Sequence, residues 1–158
     1  MKVELYERLW MWAAAALIAV FIATTVIGTV VAGLEPPSHV ETIDPAAVWS
    51  DARFAHPGVT MDTARVTVVA VGMTFAFVPN VIHVPAHRPV TFRLTSADVT
   101  HGFEIAGTNG NTMLIPGYVS QFTTRFDTPG EYLIVCNEYC GLGHHTMSGR
   151  LIVDGATP

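Results

Sequence analysis

From Leu9 to Leu34 the chain carries no charged residue. At 1.5 Å per residue this run of 26 residues gives roughly 39 Å of helix, enough to cross a bilayer with some tilt. A cleaved signal peptide is the competing reading, because Lys2 and Arg8 precede the run and Val31-Ala32-Gly33 supplies small residues. The run is longer than an ordinary signal core, and Trp10 and Trp12 stand where an interfacial aromatic belt lies, so a retained anchor is expected at 9–34. Lys2 and Arg8 flank its N-terminal side and the next basic residue is Arg53, which places residues 1–8 in the cytoplasm and everything after Leu34 outside the inner (plasma) membrane. Membrane lipid is therefore an expected partner.

With 158 residues there is room for one modest folded domain beyond the anchor. A net charge of −5 without a basic cluster excludes nucleic acid and is compatible with a basic soluble partner. Glu35-Pro36-Pro37-Ser38-His39 and Asp44-Pro45 cannot continue a helix, and residues 46–63 show no clean period, so 35–63 reads as a linker and spacer.

From residue 64 the pattern becomes β. Segments 65–71, 89–95, 119–126, 131–136 and 150–154 are short and rich in β-branched or alternating apolar residues. Turn signals at Val78-Pro79-Asn80, Thr108-Asn-Gly-Asn111, Pro116-Gly117 and Asp127-Thr-Pro-Gly130 separate them. The fold class expected for 64–158 is mainly β, a Greek-key barrel or sandwich.

The chemistry is concentrated in Cys136-Asn-Glu138-Tyr-Cys140-Gly141-Leu-Gly-His144-His145-Thr-Met147, which contains both cysteines of the chain. A small-loop disulfide accounts for the thiols but not for His144 or Met147. Zinc would accept two Cys and two His, yet methionine is a poor zinc ligand. Thiolate, imidazole and thioether together suit copper, and a mononuclear blue-copper site needs only one of the two cysteines. A second bridged ion gives the other thiolate a role.

Cys-x-Glu-x-Cys-Gly-x-x-His-x-x-Met, preceded by Asp98-Val-Thr-His101-Gly-Phe103, resembles the dinuclear copper (CuA) domain of subunit II of haem-copper cytochrome c oxidases, in the single-anchor, B-type branch. The resemblance spans nearly the whole chain: anchor, cupredoxin-like barrel, upstream His loop and ligand loop. It implies two copper ions bridged by Cys136 and Cys140, one completed by His101 and Met147, the other by His144 and the Glu138 carbonyl. It also implies that electrons from a soluble cytochrome c or small copper protein pass to haem in a catalytic membrane subunit I, where O2 is reduced. The Glu138 carboxylate is a candidate Mg²⁺ ligand at that interface. The family's aromatic patch, through which electrons are thought to enter, corresponds to Phe75-Ala-Phe77, here without Trp; core packing is the other reading of these two rings.

Two alternatives remain open at this level: the same role in a haem-copper nitric oxide reductase, and a membrane-tethered copper carrier. His39, His56, His83 and His87 read as solvated surface, Met61, Met73 and Met113 as packing residues, and Glu104, Asp127 and Glu131 either as a docking face for a basic cytochrome near the ligand loops or as ordinary solubilising charges.

Overall fold

The computed structural model describes residues 4–32, 41–63 and 65–155. Lys2, Leu34 and the 35–39 proline segment lie outside them. The chain divides into an N-terminal helical unit and a C-terminal β unit.

Helix α1 spans Leu5–Ala32. It starts four residues before the uncharged run because a helix tolerates Glu and Arg in its first turn, where the Glu7 carboxylate accepts the Glu4 N–H at 3.3 Å. Trp10 and Trp12 are exposed, as are the apolar side chains described along the rest of the helix. A helix apolar on all its faces finds its solvent in lipid.

The β unit contains β1 (Glu41–Thr42), β2 (Gly58–Met61), β3 (Val66–Met73), β4 (Ala76–Val78), β5 (Val81–Pro85), β6 (Pro89–Ser96), β7 (His101–Ile105), β8 (Asn111–Leu114), β9 (Tyr118–Arg125), β10 (Gly130–Val135) and β11 (Ser148–Asp154). They form two sheets, β1-β9-β6-β3-β2 with β4 also on β3, and β5-β11-β10-β7-β8. The pairs β3–β6 and β5–β11 are parallel, whereas the other pairings are antiparallel. This is the cupredoxin-like sandwich expected of the sequence.

Alternation builds the core. On β6, Val90, Phe92 and Leu94 are buried while Thr91 and Arg93 face the other way. Phe92 is the hub, stacked on Phe122 at 4.9 Å, tilted against Phe103 at 6.0 Å and edge-on to Phe126 at 6.3 Å. Phe103 continues the contact to Phe77 at 5.3 Å, so aromatic rings tie the two sheets together.

The 35–63 segment is corrected by the structure, which folds residues 41–63 into the β unit instead of leaving them as a spacer. Glu41 and Thr42 pair with Val119 and Tyr118, and β2 pairs with β3. Asp44 caps a 3-10 turn at Pro45–Ala47. Ile43, Val48 and Phe54 are buried against Val71 and Val119 in a small second core. Their spacing follows a turn-rich path and shows neither helical nor strand period. Glu41 also accepts from Arg53 at 2.5 Å and from Arg93 at 2.6 Å, and Arg53 reaches Asp51 at 2.7 Å.

Candidate metal centre

Strand register brings the site together. β7 and β10 are antiparallel, with Val135 opposite Glu104, so the start of β7 at His101 lies beside the end of β10. β10 and β11 are antiparallel with Val135 opposite Ser148. One step further, Cys136 and Met147 are neighbours, joined by Cys136 N–H to Met147 C=O at 3.2 Å. A 3-10 turn at His144–Thr146 closes the loop. In that turn residues i and i+3 eclipse, which sets His144 and Met147 on one side and leaves His145 exposed.

All six expected ligand positions converge through short contacts. The Cys136 and Cys140 sulfurs are 3.7 Å apart. Both thiols are free and buried, well beyond the roughly 2.05 Å of a disulfide bond. The Glu138 carbonyl oxygen lies 3.2 Å from Cys136 Sγ, and His101 Nδ1 lies 4.0 Å from it. His144 Nδ1 and Met147 Sδ each stand 3.7 Å from Cys140 Sγ. The donor atoms of His101, Cys136 and Cys140 fall within 4.8 Å of one another. Soft sulfur and imidazole nitrogen at such separations fit copper, for which both sulfurs are within common reach.

Asp98 sets the ring of His101. Its Oδ1 is 2.8 Å from Nε2 of a fully buried imidazole. Burial opposes ionisation of Asp98, but hydrogen bonds from the Thr74 hydroxyl, His101 and the backbone N–H groups of Thr74 and Val99 outweigh it and hold the carboxyl at about 2. An ionised acceptor at Nε2 places the ring proton there and leaves the Nδ1 lone pair facing the thiols. Burial, reinforced by the hydrogen bond with Cys136, the Cys136 charge and then the Asp98 charge, pushes the Cys140 thiol up to about 11. Binding of a cation is what lets such a thiol deprotonate at neutral pH.

Close approach fixes the frame around the ligands. A Cβ on Gly102 would stand 1.8 Å from Asn137 Oδ1 and 2.8 Å from Asn137 N. Asn137 itself donates to Glu104 at 3.1 Å and to Asn111 at 3.3 Å, pinning the loop between the two cysteines to β7 and β8. The Phe75 ring lies on the other side of the loop, where a Cβ on Gly143 would be 2.5 Å from it.

Several secondary readings need correction. Phe77 is core, but Phe75 is 37% exposed and lies on the ligand loop. Met61, Met73 and Met113 are exposed and not packed inside. Asp127 and Glu131 do not border the copper loop: Glu131 is five residues before Cys136 along β10, about 16 Å away at strand rise, and Asp127 precedes it. Asp127 pairs with Arg125 at 2.7 Å and Glu131 with Arg150 at 3.6 Å. Glu104 alone of the three lies beside the site. His56, His83 and His87 are exposed, as expected, and His39 falls outside the described residues. The parts that sequence reading missed are Thr74, 24 residues before the carboxylate that it holds, and Asn137 as a clamp; neither has a local signal.

Residues 49–154 match the family model described as cytochrome c oxidase subunit II, periplasmic domain. A cytochrome c oxidase subunit 2 of Thermus thermophilus is 39% identical over 153 residues, covering 94% of this chain and 91% of that protein. A chain of a heme-copper terminal oxidase dimer solved by cryo-electron microscopy superposes with a TM-score of 0.70 at 30% identity, covering 94% of this chain and 99% of that one. The periplasmic domain of subunit II of cytochrome oxidase from Bradyrhizobium japonicum shares the fold, with a TM-score of 0.55 at 20% identity over 61% of this chain and 89% of that one.

Proposed function

The chain belongs to the cytochrome c oxidase subunit II family, and on that premise we propose that His101, Cys136, the Glu138 carbonyl, Cys140, His144 and Met147 hold two copper ions as a CuA centre. Membership makes the chain an electron-accepting, copper-binding subunit of an oxidoreductase complex, and the apolar N-terminal helix, the periplasmic-domain match and the likeness to a heme-copper oxidase chain support a membrane anchor, an outer-side β domain and a haem-containing catalytic partner. The observation that carries the dinuclear reading is the pair of free sulfurs 3.7 Å apart, each flanked by further donors.

When bound, the copper pair supplies a one-electron couple whose charge is shared over two ions. The protein's part is to hold the donors still. Cys136, Cys140, His101 and Met147 are buried at 7%, 7%, 0% and 2% exposure, which keeps exchangeable water away and disfavours the carrier reading, where ligands must open to a recipient. Strands β7, β10 and β11 fix the ligand ends, and Asp98 fixes the imidazole. A site that moves little between oxidation states has a small reorganisation barrier.

The donor is a soluble cytochrome c or a small copper protein. Phe75, 37% exposed, lies on the ligand loop, and the loop residues Tyr139 and Leu142 are 74% and 91% exposed, so electrons enter across an apolar surface directly over the centre. The anchor runs with its N-terminus in the cytoplasm, in contact with membrane lipid. The exposed Glu138 side chain is available to a Mg²⁺ ion at the interface with the catalytic subunit.

The test is to load the full chain with copper in neutral detergent and record copper-to-protein ratio and electron paramagnetic resonance together. Two coppers per chain with hyperfine splitting shared between both is the expected result. One copper with an ordinary mononuclear spectrum sinks the dinuclear assignment.

A further inference from the structure

Away from the copper loop, the outer face of the β9-β6-β3 sheet carries a polar trough of about 600 Å³ lined by Arg65, Thr67, Thr91, Arg93, Gln121 and Thr123. Register explains the grouping. Thr67, Thr91 and Thr123 are cross-strand partners, and Val69, Arg93 and Gln121 form the adjacent row. The Thr91 and Thr123 hydroxyls are 2.9 Å apart. Arg65, just before β3, and Arg93 therefore flank a row of three hydroxyls, and no acidic side chain among the described residues lines the trough.

The arginines of the β unit gather toward this sheet. Six basic residues follow the anchor, and five of them, Arg53, Arg65, Arg88, Arg93 and Arg125, lie on this sheet or on segments that flank or pair with it. Glu41, Asp51 and Asp127 on the same segments pair with Arg53, Arg93 and Arg125. Arg93 gives one terminal nitrogen to Glu41 at 2.6 Å, yet its Nε is buried without an acceptor. A buried guanidinium N–H lacking a partner is costly, which favours turning the Arg93 head group toward an acceptor supplied in the trough. Arg65 enters none of the ion pairs among the described residues.

We propose that this trough binds a phosphate group carried by an anionic ligand. Guanidinium forks match the oxygens of a phosphate, and the threonine hydroxyls and the Gln121 carboxamide supply the additional donors that a tetrahedral, many-oxygen anion accepts and a single carboxylate does not need. The phosphate can be soluble or belong to a lipid headgroup; both present the same oxygens to the trough. The site is independent of the copper centre.

The experiment titrates the isotope-labelled full chain in neutral detergent with inorganic pyrophosphate, with short-chain phosphatidylglycerol, with short-chain phosphatidylcholine as the zwitterionic control, and with oligoglutamate. Arginine side-chain and backbone amide resonances are followed. A saturable shift of the Arg93 Nε–H signal together with the amides of Thr67, Thr91 and Thr123 is expected from pyrophosphate, from phosphatidylglycerol or from both, and which of the two binds identifies the source. Arg65→Gln weakens that binding by about tenfold or more, whereas Arg150→Gln on the other sheet leaves it unchanged. The proposal is overturned if neither phosphate probe gives a saturable shift, if Arg65→Gln binds as tightly as the natural chain, or if oligoglutamate binds and the phosphate probes do not.

Discussion

Asp98 Oδ1 stands 2.8 Å from Nε2 of His101, on the edge of the imidazole that does not face the thiols. The carboxylate thereby decides which nitrogen is free for a metal. Asp98→Asn keeps the shape and removes the charged acceptor, and copper affinity is expected to fall by about 10–100-fold. Competition with a calibrated chelator measures this, and the hyperfine coupling of the His101 nitrogen should change in parallel. Unaltered affinity and coupling would show that the contact has no electronic role.

Gly102 sits where a methyl group would collide with Asn137. Gly102→Ala must push apart the strand that carries His101 and the loop that carries both cysteines. Copper stoichiometry below that of the natural chain is expected, with a thermal midpoint lowered by a few degrees, on the order of 1–3 kcal/mol. Full loading at an unchanged midpoint would mean that the loop relaxes freely.

Phe75 is expected to act on the donor and not on the metal. Phe75→Ala should leave the copper absorption spectrum close to that of the natural chain while raising KM for a soluble donor by about tenfold, the scale of an aromatic anchor at an interface. Steady-state reduction kinetics of the assembled oxidase separate the two. An unchanged KM would move the docking surface elsewhere.

Phe92 touches Phe103, Phe122 and Phe126 from the centre of the sandwich. Phe92→Ala is expected to cost about 3–5 kcal/mol. Chemical denaturation followed by intrinsic fluorescence gives the value, and a loss below about 1 kcal/mol would contradict the hub role.

Acid should release the segment that precedes the barrel before it reaches the core. Burial works against ionisation of Glu41, but hydrogen bonds from Arg93 and Arg53 hold its carboxyl below the ordinary range, and the hydrogen bonds from Arg53 bring Asp51 down to about 2. Folded-state values below the unfolded ones, near 4 for both groups, mean stability that is complete above about pH 5 and is lost as pH falls toward 2. Hydrogen exchange at residues 41–54 should accelerate across that window while the β6 amides stay protected. Simultaneous loss of both would refute a separate acid-labile unit.

Much of the chain was legible one residue at a time. An uncharged stretch of 26 residues needs no tertiary information to become a membrane helix, because every backbone group is satisfied within it. The strands at 66–73, 89–96, 118–125, 130–135 and 148–154 were readable because each carries its own apolar pattern. Most of the expected ligand set was readable too, since Cys136, Cys140, His144 and Met147 announce a soft metal by residue type and spacing, whereas His101 came only from the resemblance of its Asp98–Phe103 stretch to the family. β1, β2, β4, β5, β7 and β8 were not, because they are short, interrupted by Pro, Gly or His, or lodged in a segment that looked like tether; their strand character comes from the neighbour that pairs with them.

Tertiary structure alone decided the rest. Register placed Met147 against Cys136 and put Thr74 on Asp98. It buried Phe77 while leaving Phe75 on the ligand loop, and it carried Asp127 and Glu131 to the far end of β10. It also assembled Arg65, Arg93 and three threonines from three strands into one face. Local pattern specifies which residues can bind a metal or an anion, but contacts between residues far apart in sequence exist only once strand pairing has fixed which side chains share a face and which end of the barrel they occupy.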